Sequence, residues 1–159
     1  MKGIFSPFDV GMVLQKLSLE PTIEAINMYR ISYKGERMYV HTDRLPEIYI
    51  ERPVHIDRFN WENNESIMGL AISMVNDQRQ PVRVYWLDEH FISFMLCIEP
   101  ESADSLLEQL PERFVQMEQA AEAVEHACEG ARHYDIKALL DQLAIPSPDN
   151  PWTKGKKLS

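Results

Sequence analysis

Glycine is scarce in this chain: six residues in 159, widely scattered. They leave no material for a Gly-rich phosphate loop, and GxSxG, HExxH and CxxC strings are also missing. Basic residues are outnumbered, 16 Lys and Arg against 25 Asp and Glu, giving a formal net charge of −9. A phosphate backbone needs a basic face, so nucleic acid is not an expected ligand. The one basic cluster, KGKK at 154–157, reads as a short solvated tail. No segment approaches the ~20 apolar residues of a membrane span, and no signal peptide is expected ahead of the fold. Only two cysteines occur, Cys97 in an apolar strand and Cys128 on a helix face. Two buried, unpaired thiols in a reducing cytoplasm are the reading this favours.

What the chain does have is enough apolar material, 45%, for one ordinary core. A single domain is expected over residues 1–145, followed by an irregular Pro-rich and basic tail, 146–159. The most informative stretch is VRVYWLDEHFISFMLCIE, residues 82–99. Two β-branched and aromatic runs flank a polar tripeptide, which predicts a β-hairpin. A three-residue loop, Asp88-Glu89-His90, puts Val82, Val84 and Trp86 on one face with Ile92, Phe94, Leu96 and Ile98. A one-residue slip would scatter that set, so the register that concentrates it is preferred. The opposite face then carries Tyr85, Leu87, Phe91 and Met95 among polar neighbours, too much apolar surface to leave bare.

Upstream, residues 7–19 predict a helix with Val10, Leu14 and Leu17 at helical spacing and Phe8 near its start. Three strands are expected within 26–56, the first two joined by Lys34-Gly35-Glu36. Asn63-Asn64 offers an N-cap for a helix over 65–80, whose main stripe is Ile67, Leu70, Ala71, Met74 and Val75. Met68 and Ile72 widen its apolar arc to roughly 200°, about twice what one buried face requires. The helix is therefore expected to touch its own sheet and something else. Ser102 predicts a cap for a short helix through Leu110. Pro111 then opens a longer helix that Gly130 ends, with Phe114, Met117, Ala121, Val124 and Cys128 inward. A separate helix follows at 134–143. The fold class is α+β: an antiparallel sheet of about five strands in the order α-βββ-α-ββ-α. Helices lie mainly on one face, and an extra helix follows at the C-terminal end.

Three polar clusters are candidates for chemistry. Glu122, Glu125, His126, Glu129 and His133 have residue types that bind zinc, but the preferred reading is a solvated helix face, with no metal or cofactor. Asp88-Glu89-His90 reads as a hairpin turn, because adjacent residues in a tight loop seldom converge on one substrate atom. His41, Asp43, Arg44, His55 and Asp57 lie near strand ends without any spacing that would gather them. Trp61 reads as a loop anchor and Trp152 falls in the tail. No catalytic residue is assigned, and the chain is not expected to be an enzyme.

The stretch SIMGLAISMVNDQRQPVRVYWLDEHFISFMLCIEPESADSLLEQLPERFVQM resembles the YbjN family, which shares the fold of type III secretion chaperones. The likeness lies in a helix with Asn76-Asp77-Gln78 near its end, then the hairpin, then a long closing helix. An opening helix and three strands upstream extend it to about residues 7–128. The resemblance implies a non-enzymatic module, usually a homodimer, that holds another protein or regulates by contact. Combined with the surplus apolar surface, it gives the expected function: a cytoplasmic, chaperone-like or regulatory protein-interaction module. Met68 and Ile72 are the expected self-association residues, and Tyr85, Leu87, Phe91 and Met95 the expected dimer or client contacts. The alternatives are a small-ligand sensor or an acidic, immunity-type inhibitor.

Overall fold

The computed structural model describes residues 6–144. A helix α1 (Pro7–Lys16) opens the fold and four strands follow: β1 (Thr22–Ala25), β2 (Met28–Tyr33), β3 (Glu36–Arg44) and β4 (Glu47–His55). After a 3-10 turn come α2 (Glu65–Asn76), β5 (Val82–Trp86), β6 (Phe91–Ile98) and α3 (Ala103–Ala144). The six strands form one antiparallel sheet in the order β1-β2-β3-β4-β6-β5. The α+β class and element order are as expected, with one strand more. TIEA is short and holds a single large apolar residue, so it carries little strand signal of its own. It forms by pairing with β2 through a tight turn at Asn27, which has φ +62°.

Local chemistry sets the helix starts. Ser6 and Asp9 form a reciprocal capping box at α1, which begins with Pro7 at a position where no amide donor is needed. Asn64 caps α2 by accepting from the amide of Ser66 at 2.9 Å. Ser102 caps α3 by accepting from the amide of Ser105 at 3.1 Å.

The hairpin register is the expected one: Val82, Val84 and Trp86 oppose Leu96, Phe94 and Ile92. Asp88 closes the loop by accepting from the amides of His90 and Phe91. Alternation then assigns the sheet's two faces. One face offers Ile31, Met38, Val40, Ile48, Ile50, Val54, Ile92, Phe94, Leu96 and Ile98, all buried in one core beneath the helices. Tyr29 and Tyr33 belong to the same face. The Tyr29 hydroxyl donates to the Pro7 carbonyl at 2.8 Å, and Tyr33 stacks on Phe114 of α3 with ring centroids 4.7 Å apart. Gly11 admits the Tyr29 ring, since a Cβ there would lie 2.5 Å from its hydroxyl oxygen.

Several expectations are corrected. α3 is continuous from Ala103 to Ala144, with Pro111 inside it, so neither Pro111 nor Gly130 interrupts it and no separate helix begins at 134. Pro111 is exposed, so its ring faces solvent and not the packed side of the helix. Gly130 is a local cost that the stripe of Leu110, Phe114, Met117, Val124, Cys128 and Ala131, buried along α3, outweighs. α2 does touch a second element, but that element is α3 of the same chain. Its buried residues are Ile67, Met68, Ala71, Ile72 and Val75, whereas Met74 is exposed, so the helix is rolled towards its Met68 and Ile72 flank. Met68 and Ile72 are interior residues and not a self-association surface. The tail at 146–159 lies outside the described residues.

Candidate interaction surface

All three helices cover one face of the sheet, and the other face bears none among the described residues. There the cross-strand register lines side chains into rows. Arg30, Tyr39, Glu51, Met95 and Arg83 are successive partners across β2, β3, β4, β6 and β5. Met28, His41, Tyr49 and Cys97 form the next row. On the other side lie Pro53, Ser93 and Tyr85, then His55 with Phe91. Leu87 ends the series and donates its amide to the Phe91 carbonyl at 2.9 Å.

Four of the six expected contact residues therefore share this face. Tyr85 and Leu87 are exposed, while Phe91 and Met95 are half-covered by their neighbours. Tyr39, Tyr49 and Pro53 join them and were missed. The signal was available: RMYVH and EIYIERPVH alternate with period two, so the residues between the core positions had to share the opposite face. Cys97 also lies here and is exposed, which corrects the expectation of two buried thiols. It alternates out of the core because Leu96 and Ile98 alternate in. Cys128 is buried on α3, where desolvation first and Glu125 next push its thiol up to about 11.

A polar chain sits within this face. His41 Nε2 lies 2.9 Å from one Glu51 oxygen, and the Ser93 hydroxyl donates to the other at 3.1 Å. The His41 hydrogen bond holds the Glu51 carboxyl below its ordinary range, with the Ser93 bond adding to it against the opposing effect of burial. Serine, glutamate and histidine are the residues of a hydrolytic triad, but their order here is different. The carboxylate stands between hydroxyl and imidazole, so His41 has no contact through which to take the Ser93 proton. Ser93 is fully buried. The arrangement satisfies polar groups within an otherwise apolar patch.

The other candidate clusters stay apart. His41 and His55 are separated along β4's register by six residues, about 20 Å. His55 accepts from the Asp57 amide at 3.1 Å and sits edge-on to Phe91, centroids 5.1 Å apart, with the His90 ring at 6.1 Å. Asp88 is committed to the hairpin loop. On α3, Glu122, Glu125, His126, Glu129 and His133 are exposed, and Glu129 pairs with Arg132 at 2.7 Å. Among the described residues no three His, Cys, Asp or Glu side chains gather as a metal site requires. Trp61 is half-buried as a loop anchor, its indole donating to Asp57 at 3.3 Å.

One sheet edge is closed by a side chain. Asn76, the last residue of α2, donates to the Val84 carbonyl at 2.6 Å and accepts from the Val84 amide at 2.9 Å. These are the backbone groups β5 turns away from β6, so another strand cannot pair there without displacing Asn76.

Comparison with solved structures finds "YbjN, a putative transcription regulator from E. coli" with a TM-score of 0.51. The match covers 85% of this chain and 97% of that one at 10% sequence identity. The chain thus has a YbjN-like fold, as its sequence resemblance implied. No family model matches the chain, and no curated protein matches it. Among the described residues no helix is long and apolar enough to cross a membrane.

Proposed function

We propose that this protein is a non-enzymatic interaction module that acts in the cytoplasm and holds a partner protein on the helix-free face of its sheet. The observation that carries the reading is the band of Tyr39, Tyr49, Tyr85, Leu87, Phe91 and Met95, which register assembles on one face that no helix of the described residues covers. An antiparallel sheet with one wet face normally presents mostly polar residues there. A contiguous aromatic and apolar patch of this kind marks contact with another macromolecule. Tyrosines suit such a surface, because they bury large rigid area and keep a hydroxyl for solvent or a partner. The face is also the less acidic part of the molecule. Arg30 pairs with Glu24 at 3.5 Å, and Arg37 and Arg83 balance Glu47 and Glu51, so the face is neutral within a chain of −9. The embedded Ser93–Glu51–His41 chain fits a binding role, since Ser93 is fully buried and its hydroxyl has no contact with the His41 imidazole. The E. coli neighbour's regulatory description agrees with a contact-based role.

The test is purification of the tagged full chain from its native cells beside the double variant Tyr85→Glu/Phe91→Glu. A specific partner should accompany the wild type and be lost from the variant, with the variant's melting temperature within a few degrees. Retention of the same partner in the same yield would refute the assignment.

A further inference from the structure

The two edges of the sheet are treated differently. Asn76 blocks β5, but β1 has no side-chain clamp among the described residues. Ser32 turns its amide away from β3 and donates to the Leu19 carbonyl at 2.9 Å. By alternation Arg30 faces β1, its partner Thr22 faces back, and Ile23 turns its own amide and carbonyl outward, where no strand follows. Its side chain lies on the helix-bearing face, opposite Tyr29. α1 stands over that tyrosine, with α3 against one flank. Phe8 and Met12, one turn apart, lie on the flank of α1 turned away from its buried Val10, Val13 and Leu14. The three most exposed large apolar side chains of the described protein lie in β1, the turn after it and α1: Ile23 at 78%, Ile26 at 88% and Phe8 at 69%, and Met12 of α1 adds 44%.

We infer that β1 is the self-association edge, pairing antiparallel with β1 of a second copy about a two-fold axis through Ile23. This deepens the proposed function by naming how a homodimer forms, and it leaves the helix-free face open for the partner. Self-complementarity identifies the occupant. An outward residue with one donor and one acceptor, placed on a two-fold axis, satisfies both groups by exchanging two hydrogen bonds with its own copy. That register sets Thr22 opposite Glu24 of the second copy and Pro21 opposite Ala25, so no like charges face each other. Pro21 and the bulge between Ile23 and Ala25 discourage a long added strand, but the Ile23 exchange needs neither neighbour. At roughly 150 Å² per large side chain, the exposed parts of Ile23, Ile26, Phe8 and Met12 total about 400 Å² per copy. The pair brings about 800 Å² before backbone is counted, against the ~1,000 Å² that a stable interface should clear, which makes this a weak, concentration-dependent dimer.

Sedimentation of the full chain from 1 to 100 μM tests this. The wild type should dimerise, Ile23→Glu should weaken the dimer at least tenfold, and Tyr85→Glu/Phe91→Glu should leave it intact. Ile23→Pro, which deletes the outward donor alone, should also weaken it. In a Cys97→Ser background, Ile23→Cys should form an intermolecular disulfide with copper phenanthroline as oxidant, because hydrogen-bonded partners lie ~5.5 Å apart at Cα. Thr22→Cys, two residues out of register with its own copy, should not. A wild type that stays monomeric at 100 μM overturns the inference, as does a dimer indifferent to Ile23→Glu or one broken only by the sheet-face variant. Partner capture by monomeric Ile23→Glu is read separately, so losing the dimer does not decide the sheet-face reading.

Discussion

Replacing Asn76 with alanine removes both hydrogen bonds that cap the Val84 backbone, at 2.6 and 2.9 Å, in a half-buried setting. Each buried bond is worth about 1–1.5 kcal/mol net, because the stranded amide and carbonyl lose their partners while remaining partly shielded from water. The loss should total about 2–3 kcal/mol. Alanine is the better helix former by up to ~0.7 kcal/mol, which partly offsets this at the last residue of α2. A net destabilisation near 2 kcal/mol is therefore expected, or about 4–8 °C in melting temperature for a chain of this size. Asn76→Asp keeps the acceptor for the Val84 amide and loses the donor to its carbonyl, so it should fall between wild type and Asn76→Ala. Urea denaturation followed by circular dichroism reads all three, and light scattering should show the alanine variant associating through the freed β5 edge. A loss below about 0.5 kcal/mol for Asn76→Ala, well under the ~1 kcal/mol of a single bond, would refute the clamp.

Other consequences follow from packing and charge. Gly11→Ala places a Cβ 2.5 Å from the Tyr29 hydroxyl oxygen and should cost about 1–3 kcal/mol in thermal denaturation. Gly69→Ala, with nothing within 4 Å, should stabilise α2 by about 0.5–1 kcal/mol. In a thiol titration of the native protein Cys97 should react promptly, and Cys128, buried with its thiol pushed up to about 11, only after unfolding. Glu51 titrates below its ordinary value of 4.5 in the folded state, so its stabilising contribution is full above 4.5 and is lost as pH falls through the folded value. The stability gap between wild type and Glu51→Gln should therefore narrow as pH drops below 4.5; a gap constant from pH 6 to 2, to be read by urea titration at ~1 unit steps, contradicts the His41 pairing.

The legible parts of this fold are those where alternation leaves no second solution. The 82–99 hairpin could be registered because one slip would scatter seven apolar residues across two faces. The same alternation placed Tyr85, Leu87, Phe91 and Met95 together, and it would have placed Tyr39 and Tyr49 beside them. α2 shows the limit: a wide apolar arc reveals that a second surface is needed, but Met68 and Ile72 look the same beneath a helix of their own chain as beneath a second copy. α3 shows another. Pro111 and Gly130 are local stop signals, and only the length of the buried stripe through both decides for continuity. β1 and the Asn76 clamp have partners close in sequence, β2 across the Asn27 turn and Val84 eight residues on, but TIEA shows no alternation and an Asn at a helix end carries no mark of the backbone it will cap.

The working surface proposed for this protein is the face of the sheet turned away from the helices. A photo-crosslinking amino acid placed singly at Tyr39, Tyr85 or Met95, and at Val115, Gln119 or Glu125 on the outer side of α3, tests this in cells. One shared adduct is expected from the three sheet positions and none of it from the three helix positions. Adducts confined to α3, or spread equally over both sides, would contradict it.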